Sequence, residues 1–303
     1  MSWKFGINAW AFGGGTAVEQ AKQAAKLGYD SIELSVGPDE EINFNLSDEQ
    51  LKAIGKQVRE QGVEISSIAS GVFWGVPPTS NDPAVRKTAT GYLQQMVRCA
   101  HFLGTDHLLF VPGAVCPPFI PGAPVIDYLE AVKRAAAAIS TALKACEKYR
   151  VTICVENVWN RMFTSAVEFR DFIDSFESKH VKAYFDIGNC VIYGFPEHWI
   201  RILGKRRLGR IHVKDFRNRW LDDGTKDPAG LAARDAARAL AKGSNWAGAY
   251  CFCNIGDGDV NFPEVMKALK HVGYTGYLTA EILPPYKEAP QDGIKQMKKV
   301  FKG

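Results

Sequence analysis

Residues 151–189, VTICVENVWNRMFTSAVEFRDFIDSFESKHVKAYFDIGN, carry the reading that decides the fold. Val151–Glu156 is a short run rich in β-branched residues and predicts a strand. Ala166–Phe176 places its apolar residues at helical spacing, and Lys182–Asp186 is a second strand. Strand, helix and strand in that order predict a parallel pair joined by a right-handed crossover. Each strand ends in a carboxylate, Glu156 and Asp186, so the parallel pairing brings both to one edge of the sheet.

The same rhythm runs outward in both directions. Towards the N-terminus, strands are expected at Lys4–Asn8, Ser31–Val36, Glu64–Ile68 and His107–Val111. Between them lie helices at Ala17–Leu27, stopped by Gly28, and after the N-cap Ser47, with Leu51, Ile54 and Val58 on one face. Pro83–Leu103, stopped by Gly104, and the Ala-rich Ile126–Tyr149 complete this half. Towards the C-terminus follow a helix at Glu197–Leu203, a strand at Leu208–Lys214 and a helix at Phe262–His271. A strand at Tyr277–Ile282 and a helix at Gln291–Phe301 close the chain.

Strict alternation of this kind predicts an α/β protein, a (β/α)8 TIM barrel forming one domain over residues 1–303. An open dinucleotide-binding sheet would place GxGxxG after its first strand. Gly13-Gly14-Gly15 opens such a run, but Val18 stands where the last glycine belongs. Two segments exceed the minimal barrel: the proline-rich Pro112–Pro124, and an insertion over 216–254 with a helix expected at Leu231–Lys242. Both follow strands at their C-terminal ends, where barrel enzymes build their sites, and are expected to act as lids.

Composition narrows the function. Lys plus Arg number 37 against 33 Asp plus Glu, a formal net charge of +4. That excess is too small to argue for nucleic acid or an anionic membrane. No apolar run reaches the length of a membrane span, and the N-terminus lacks the pattern of a signal peptide, so a cytoplasmic protein is expected. Seven scattered cysteines without a CxxC pair predict reduced thiols rather than a disulfide or zinc framework.

Chemistry concentrates at the ends of the late strands. VTICVEN carries Glu156, AYFDIGN Asp186, GRIHVKD His212 and YLTAEIL Glu281. A charge at the tail of a buried strand is costly unless it is paired, and a divalent cation pairs three carboxylates and an imidazole efficiently. Three oxygen donors and one nitrogen suit Mn²⁺ first, with Mg²⁺, Co²⁺ or Zn²⁺ as alternatives. The competing arrangement, a buried ion-pair network, would need a matching set of basic residues, and Lys214 is the nearby candidate.

Four motifs in order, ENVWNR (Glu156–Arg161), FDIGN (Phe185–Asn189), HVKD (His212–Asp215) and the run from Gly256 to Glu281, carry a resemblance. The chain resembles the xylose-isomerase-like barrel superfamily, in its sugar (phosphate) isomerase/epimerase branch of ketose 3-epimerases and pentulose-5-phosphate 3-epimerases. The resemblance implies that Glu156, Asp186, His212 and Glu281 hold one divalent metal. It implies that Glu156 and Glu281 also move protons, through a metal-stabilised enediolate on a small sugar or sugar phosphate. Many relatives carry a substrate-contacting histidine where this chain has Asn189, an exchange that also occurs in the pentulose-phosphate branch. A basic substrate contact is expected after the seventh strand, where Arg217 and Arg219 compete and Arg217 is taken. Dimers or tetramers are common among such barrels.

Further substrate contacts are expected from Trp10 at the first strand end, from Lys214, and from Glu33 in SIEL, which could instead lie behind the ligands. Trp74, Trp159 and Phe216 could pack on a sugar's apolar face, and Arg161 could meet a phosphate. Within enzymes the alternatives are a related inosose dehydratase or hydroxypyruvate isomerase. A catalytically silent sugar-binding barrel is the alternative of another class. A DNA endonuclease on the same barrel would need histidines on earlier strands, where ISSIASG and LLFVPG offer none.

Overall fold

Helices begin and end where the sequence supplies caps. The structure is a computed structural model that describes residues 3–218, 250–282 and 290–302. Thr16 and Glu19 form a reciprocal capping box before α1 (Ala17–Leu27), and Ser47 and Gln50 do the same before α2 (Asp48–Glu60). After the short α3 (Val72–Gly75), Asp82 caps α4 (Pro83–Leu103), whose first residue is a proline with no N–H to satisfy. Asp127 caps α5 (Tyr128–Tyr149), and Ser165 caps α6 (Ala166–Asp174).

Among the described residues, eight parallel strands close into a barrel. They are β1 (Lys4–Asn8), β2 (Ser31–Ser35), β3 (Glu64–Ala69), β4 (His107–Phe110), β5 (Thr152–Glu156), β6 (Val181–Asp186), β7 (Leu208–Val213) and, after a two-stranded ribbon, β10 (Tyr277–Ala280). The expected strands all appear, with ends displaced by a residue or two. Glu281 lies just past its strand, and Lys214 just past β7.

Two short α-helices were not expected: α3, and α7 (Ile187–Cys190), which starts directly at Asp186. α8 (Pro196–Arg207) runs longer than the expected Glu197–Leu203, with a non-helical Gly204 near its end. The base of the insertion is an antiparallel ribbon of β8 (Asp215–Asn218) and β9 (Tyr250–Cys253). Arg219 and the helix expected over 231–242 lie outside the described residues. No helix among those described is long and apolar enough to cross a membrane.

A contact between strands that are not neighbours in the barrel must cross its lumen. Glu33 on β2 reaches Tyr184 on β6 and His212 on β7, and Arg210 on β7 reaches the Ser66 carbonyl on β3. Barrel interiors are usually filled by branched apolar side chains. Here two polar layers sit in the lumen, and the apolar core is built from residues such as Ile32, Ile68, Ile153 and Ile211, all fully buried. The ladder shifts register at Ile32/Glu33 and again at Ala183/Tyr184. Such irregularities re-aim side chains, and these two flank the residues that meet across the lumen.

Candidate metal centre

At the C-terminal mouth of the barrel, Glu156, Asp186, His212 and Glu281 each offer one ligand atom, and all four atoms lie within 4.8 Å of one another. The four residues are buried. Asp186 Oδ2, His212 Nδ1 and Glu281 Oε2 make no hydrogen bond of good geometry. Buried polar atoms without a well-formed hydrogen bond are expensive, and three converging on one point are what a cation site requires.

Lys214 stands beside them, with its Nζ 2.5 Å from Glu281 Oε2 and 3.2 Å from Asp186 Oδ2. Gly188 makes room for it, since a β-carbon there would fall 2.6 Å from Lys214 Cγ and 2.8 Å from the Lys214 carbonyl. One lysine and one histidine face four buried carboxyl groups, counting Glu33. A divalent cation supplies the missing positive charge, so the donor set fits the metal implied by the sequence.

The charge shortage is felt by the acids. Burial, then the charge of Glu281, pushes the Glu156 carboxyl well above its usual range. Burial also raises Asp186, to about 7, against the pull of Lys214. For Glu281 burial acts upwards too, but Lys214 and then His212 outweigh it and hold the carboxyl well below its usual range.

The ENVWN and FDIGN motifs lock the site in place. Asn157 donates Nδ2 to the Asp186 carbonyl at 2.9 Å and accepts the Asp186 N–H at 2.8 Å, tying the end of β5 to the end of β6. Asp186 Oδ1 accepts the Asn189 N–H at 2.6 Å as the cap of α7. Asn189 Nδ2 donates to Glu156 Oε1 and to the Asn157 carbonyl, both at 3.1 Å. Trp159 Nε1 donates to the Asn189 carbonyl at 3.1 Å. Asn160 pins the proline-rich loop by donating to the Gly113 carbonyl at 2.7 Å.

The other expected contacts are placed unevenly. Of the two places expected for Glu33, it takes the one behind the ligands: it is 0% exposed and its carboxylate is filled by Asn8, Ser67, Tyr184 and His212. Arg217 is corrected from a substrate contact. Strand alternation puts Phe216 and Phe252, paired across the ribbon, on one face and Arg217 on the other, where it is exposed and donates to the Asp257 carbonyl. Asn189 sits in the site, but its amide nitrogen is already committed to Glu156 and Asn157. Trp10 lies at the β1 end, with its indole N–H on Ser35 Oγ at 3.0 Å. Arg161 is exposed in the loop after β5, and Trp74 packs edge-on against Phe119, ring centroids 4.8 Å apart.

Phe252 was missed by sequence reasoning. Its ring centroid lies 4.0 Å from that of Phe216, which lies 4.4 Å from that of Trp159, and Lys214 Nζ is 5.2 Å from the centre of the Phe252 ring. The three rings form an aromatic wall beside the acidic cluster. Tyr184, Ser67 and Asn8 were missed too. A signal existed for Tyr184, which shares its strand face with Asp186 two residues on.

Comparison with known proteins agrees with the fold. The family described as xylose isomerase-like TIM barrel matches residues 21–302. An uncharacterized protein from Methanocaldococcus jannaschii is 22% identical over 284 residues, covering 93% of this chain and 84% of its own length. Among solved structures, a D-psicose 3-epimerase crystallised in the presence of D-fructose superposes with a TM-score of 0.74 at 17% identity, covering 99% of this chain and 100% of that one. An L-ribulose 3-epimerase gives 0.72 at 16% identity, covering 99% and 95%. A 3-keto-D-glucoside 4-epimerase from E. coli gives 0.70 at 13% identity, with both chains fully covered.

Proposed function

Because the chain belongs to the xylose isomerase-like TIM-barrel family, we propose that it is a divalent-metal-dependent sugar or sugar-phosphate epimerase/isomerase, acting as a ketose 3-epimerase. The placement of Glu156 and Glu281 carries this reading. The four cluster residues stand at the ends of neighbouring strands in the order β5, β6, β7, β10, so the two glutamates bracket Asp186 and His212. A substrate carbon held over the cluster then lies between two carboxyl groups. One can remove a proton from one face while the other returns a proton to the opposite face. Inversion needs both groups, whereas a 1,2-isomerisation could use one.

Asp186 and His212 would hold the cation from the middle of the set, with Glu156 and Glu281 completing it. When bound, the cation, Mn²⁺ by first choice, supplies Lewis-acid stabilisation of negative charge on the substrate's oxygens. Lys214 adds a fixed positive charge within reach of the same oxygens. Asn189 restrains Glu156 through Oε1 and so limits the direction from which that carboxyl approaches carbon. Trp159, Phe216 and Phe252 offer a dry wall for the apolar face of a sugar ring or chain.

Incubation of the Mg²⁺-loaded protein in D₂O with a panel of ketoses and ketose phosphates tests the reading. Metal-dependent deuterium entry at C3 with an inverted product is expected. Entry at C1 with aldose formation would make it a 1,2-isomerase. No exchange with any sugar, despite bound metal, would overturn the proton-transfer reading.

A further inference from the structure

Glu33 is a charged side chain with no path to solvent, 0% exposed, in the centre of the barrel. Its Oε1 accepts from Asn8 Nδ2 at 3.0 Å and from His212 Nε2 at 2.8 Å. Its Oε2 accepts from Ser67 Oγ at 2.7 Å and from the Tyr184 hydroxyl. Each oxygen therefore receives two donors, and all the acceptor capacity of a carboxylate is used. These donors come from β1, β3, β6 and β7, so four strands hold one group.

The consequence falls on His212. A carboxylate can only accept, so the proton between the two residues belongs to His212 Nε2. That leaves Nδ1 to face the acidic cluster, 3.4 Å from Glu281 Oε2 and 3.9 Å from Asp186 Oδ2, without a hydrogen bond of its own. The Tyr184 ring, 4.3 Å from the imidazole by centroids, stops the ring from turning over. Tyr184 is itself held by its hydroxyl on Glu33. One carboxylate thus fixes which nitrogen is offered and, through Tyr184, the plane in which it is offered. Histidines that bind metals depend on such an outer partner for tautomer and orientation.

We propose that Glu33 is the positioning residue of the metal centre: it commits His212 to Nδ1 ligation and presets the imidazole, with Tyr184 and Ser67 as its supports. The proposal rests on the metal reading given above. It assigns Glu33 no contact with substrate. The irregularities in the ladder at Ile32/Glu33 and Ala183/Tyr184 are the backbone counterpart of this assignment, since they bring residues of opposite strands to one point.

The test is Mn²⁺ binding by calorimetry to the wild-type protein and to Glu33→Gln, with thermal unfolding of both metal-free proteins as a fold control. An amide cannot accept from four donors and turns its NH₂ towards some of them. Metal affinity is expected to fall by roughly 10- to 100-fold. Affinity in Glu33→Gln within about twofold of wild type would overturn the positioning role while leaving the metal site intact. A wild-type protein that binds no Mn²⁺ would overturn the metal reading itself, and this proposal with it. Should Glu33→Gln fail to fold, long-range ¹H–¹⁵N correlation spectra of ¹⁵N-histidine-labelled, Mg²⁺-loaded wild type decide the matter. A proton on His212 Nε2 is expected, and a proton on Nδ1 would overturn the assignment.

Discussion

The two mouths of the barrel both bury charge, and they treat it differently. At the N-terminal mouth, Arg210 is 8% exposed and donates from all three of its guanidinium nitrogens. Nε donates to the Ser66 carbonyl at 2.7 Å, Nη1 to the Gly209 carbonyl at 3.0 Å and Nη2 to Asp106 at 3.0 Å. At the exposed rim of this mouth, Lys4 closes on Glu64 at 2.6 Å, and Glu64 also accepts from the Tyr277 hydroxyl. Around these residues acid and base are matched and the donors are used.

At the C-terminal mouth, acids outnumber bases and three ligand atoms make no hydrogen bond of good geometry. Satisfied buried charge holds a fold together, and unsatisfied buried charge is tolerated where something must bind. The general division of this fold, stability below and activity above, is written here in hydrogen-bond bookkeeping.

The comparison can be broken first at the top. Glu156→Gln and Glu281→Gln are each expected to lower turnover by about 10²- to 10⁴-fold. Thermal unfolding of Glu156→Gln should stay at or above the wild-type temperature because a repelling carboxylate is gone, whereas that of Glu281→Gln should fall because Lys214 and His212 lose the carboxylate they hold ionised. Wild-type rates in either variant would remove that residue from proton transfer. Next comes the bottom. Arg210→Met strands the Ser66 carbonyl and leaves Asp106 without its guanidinium. A loss of about 3 kcal/mol, or about 6 °C in Tm, is expected, with kcat/KM little changed. A large activity loss at unchanged Tm would show that the two ends are not separable.

Metal then sharpens the contrast. A divalent cation at about 100 times its Kd is expected to stabilise the wild type by about 2.7 kcal/mol, or about 5 °C, and Asp186→Asn much less. Differential scanning fluorimetry with and without a chelator reads this directly. The smallest effect concerns pH. The His107 ring, and then Arg210, hold the Asp106 carboxyl below its usual range. A folded pKa below the unfolded value of about 3.9 gives stability that is present above about pH 4 and lost as pH falls. Asp106 is 67% exposed at its side chain, so the slope is shallow. Asp106→Asn should flatten the acid-side decline in Tm below about pH 4, and an unchanged decline would place that sensitivity in other carboxylates.

Much of this was legible in the chain. The barrel follows from alternation and from local signals such as Thr16 with Glu19 and Ser47 with Gln50, whose meaning is complete within four residues. The four cluster residues stand out because each puts a polar group at the tail of an apolar strand. The rest depended on contacts across the lumen or across a ribbon. Glu33 and His212 are 179 positions apart, and nothing near SIEL announces that its carboxylate is already filled. Arg210 lies two residues before His212 in GRIHVKD, yet the ladder shift and the depth of the lumen send it to the opposite mouth. Arg217 was expected at the site from its place after β7. Ribbon alternation turned it outward, with the buried Phe216 on the other face.

That ribbon has a bearing on how such a barrel can change over generations. Asn218 and Tyr250 are paired neighbours, so the two ends of the stretch between them stand side by side. Asp215 secures the rejoining chain by accepting the N–H groups of Gly256, Gly258 and Val260, and Gly258 has no room for a side chain, since a β-carbon would fall 2.2 Å from Asp215 Oδ1. With its ends stapled, a segment can lengthen, shorten or be exchanged at a closure cost that grows only with the logarithm of its length. The junction at 218 and 250 is a socket: a place where lineages, or protein engineers, can fit new material without renegotiating the barrel that carries it.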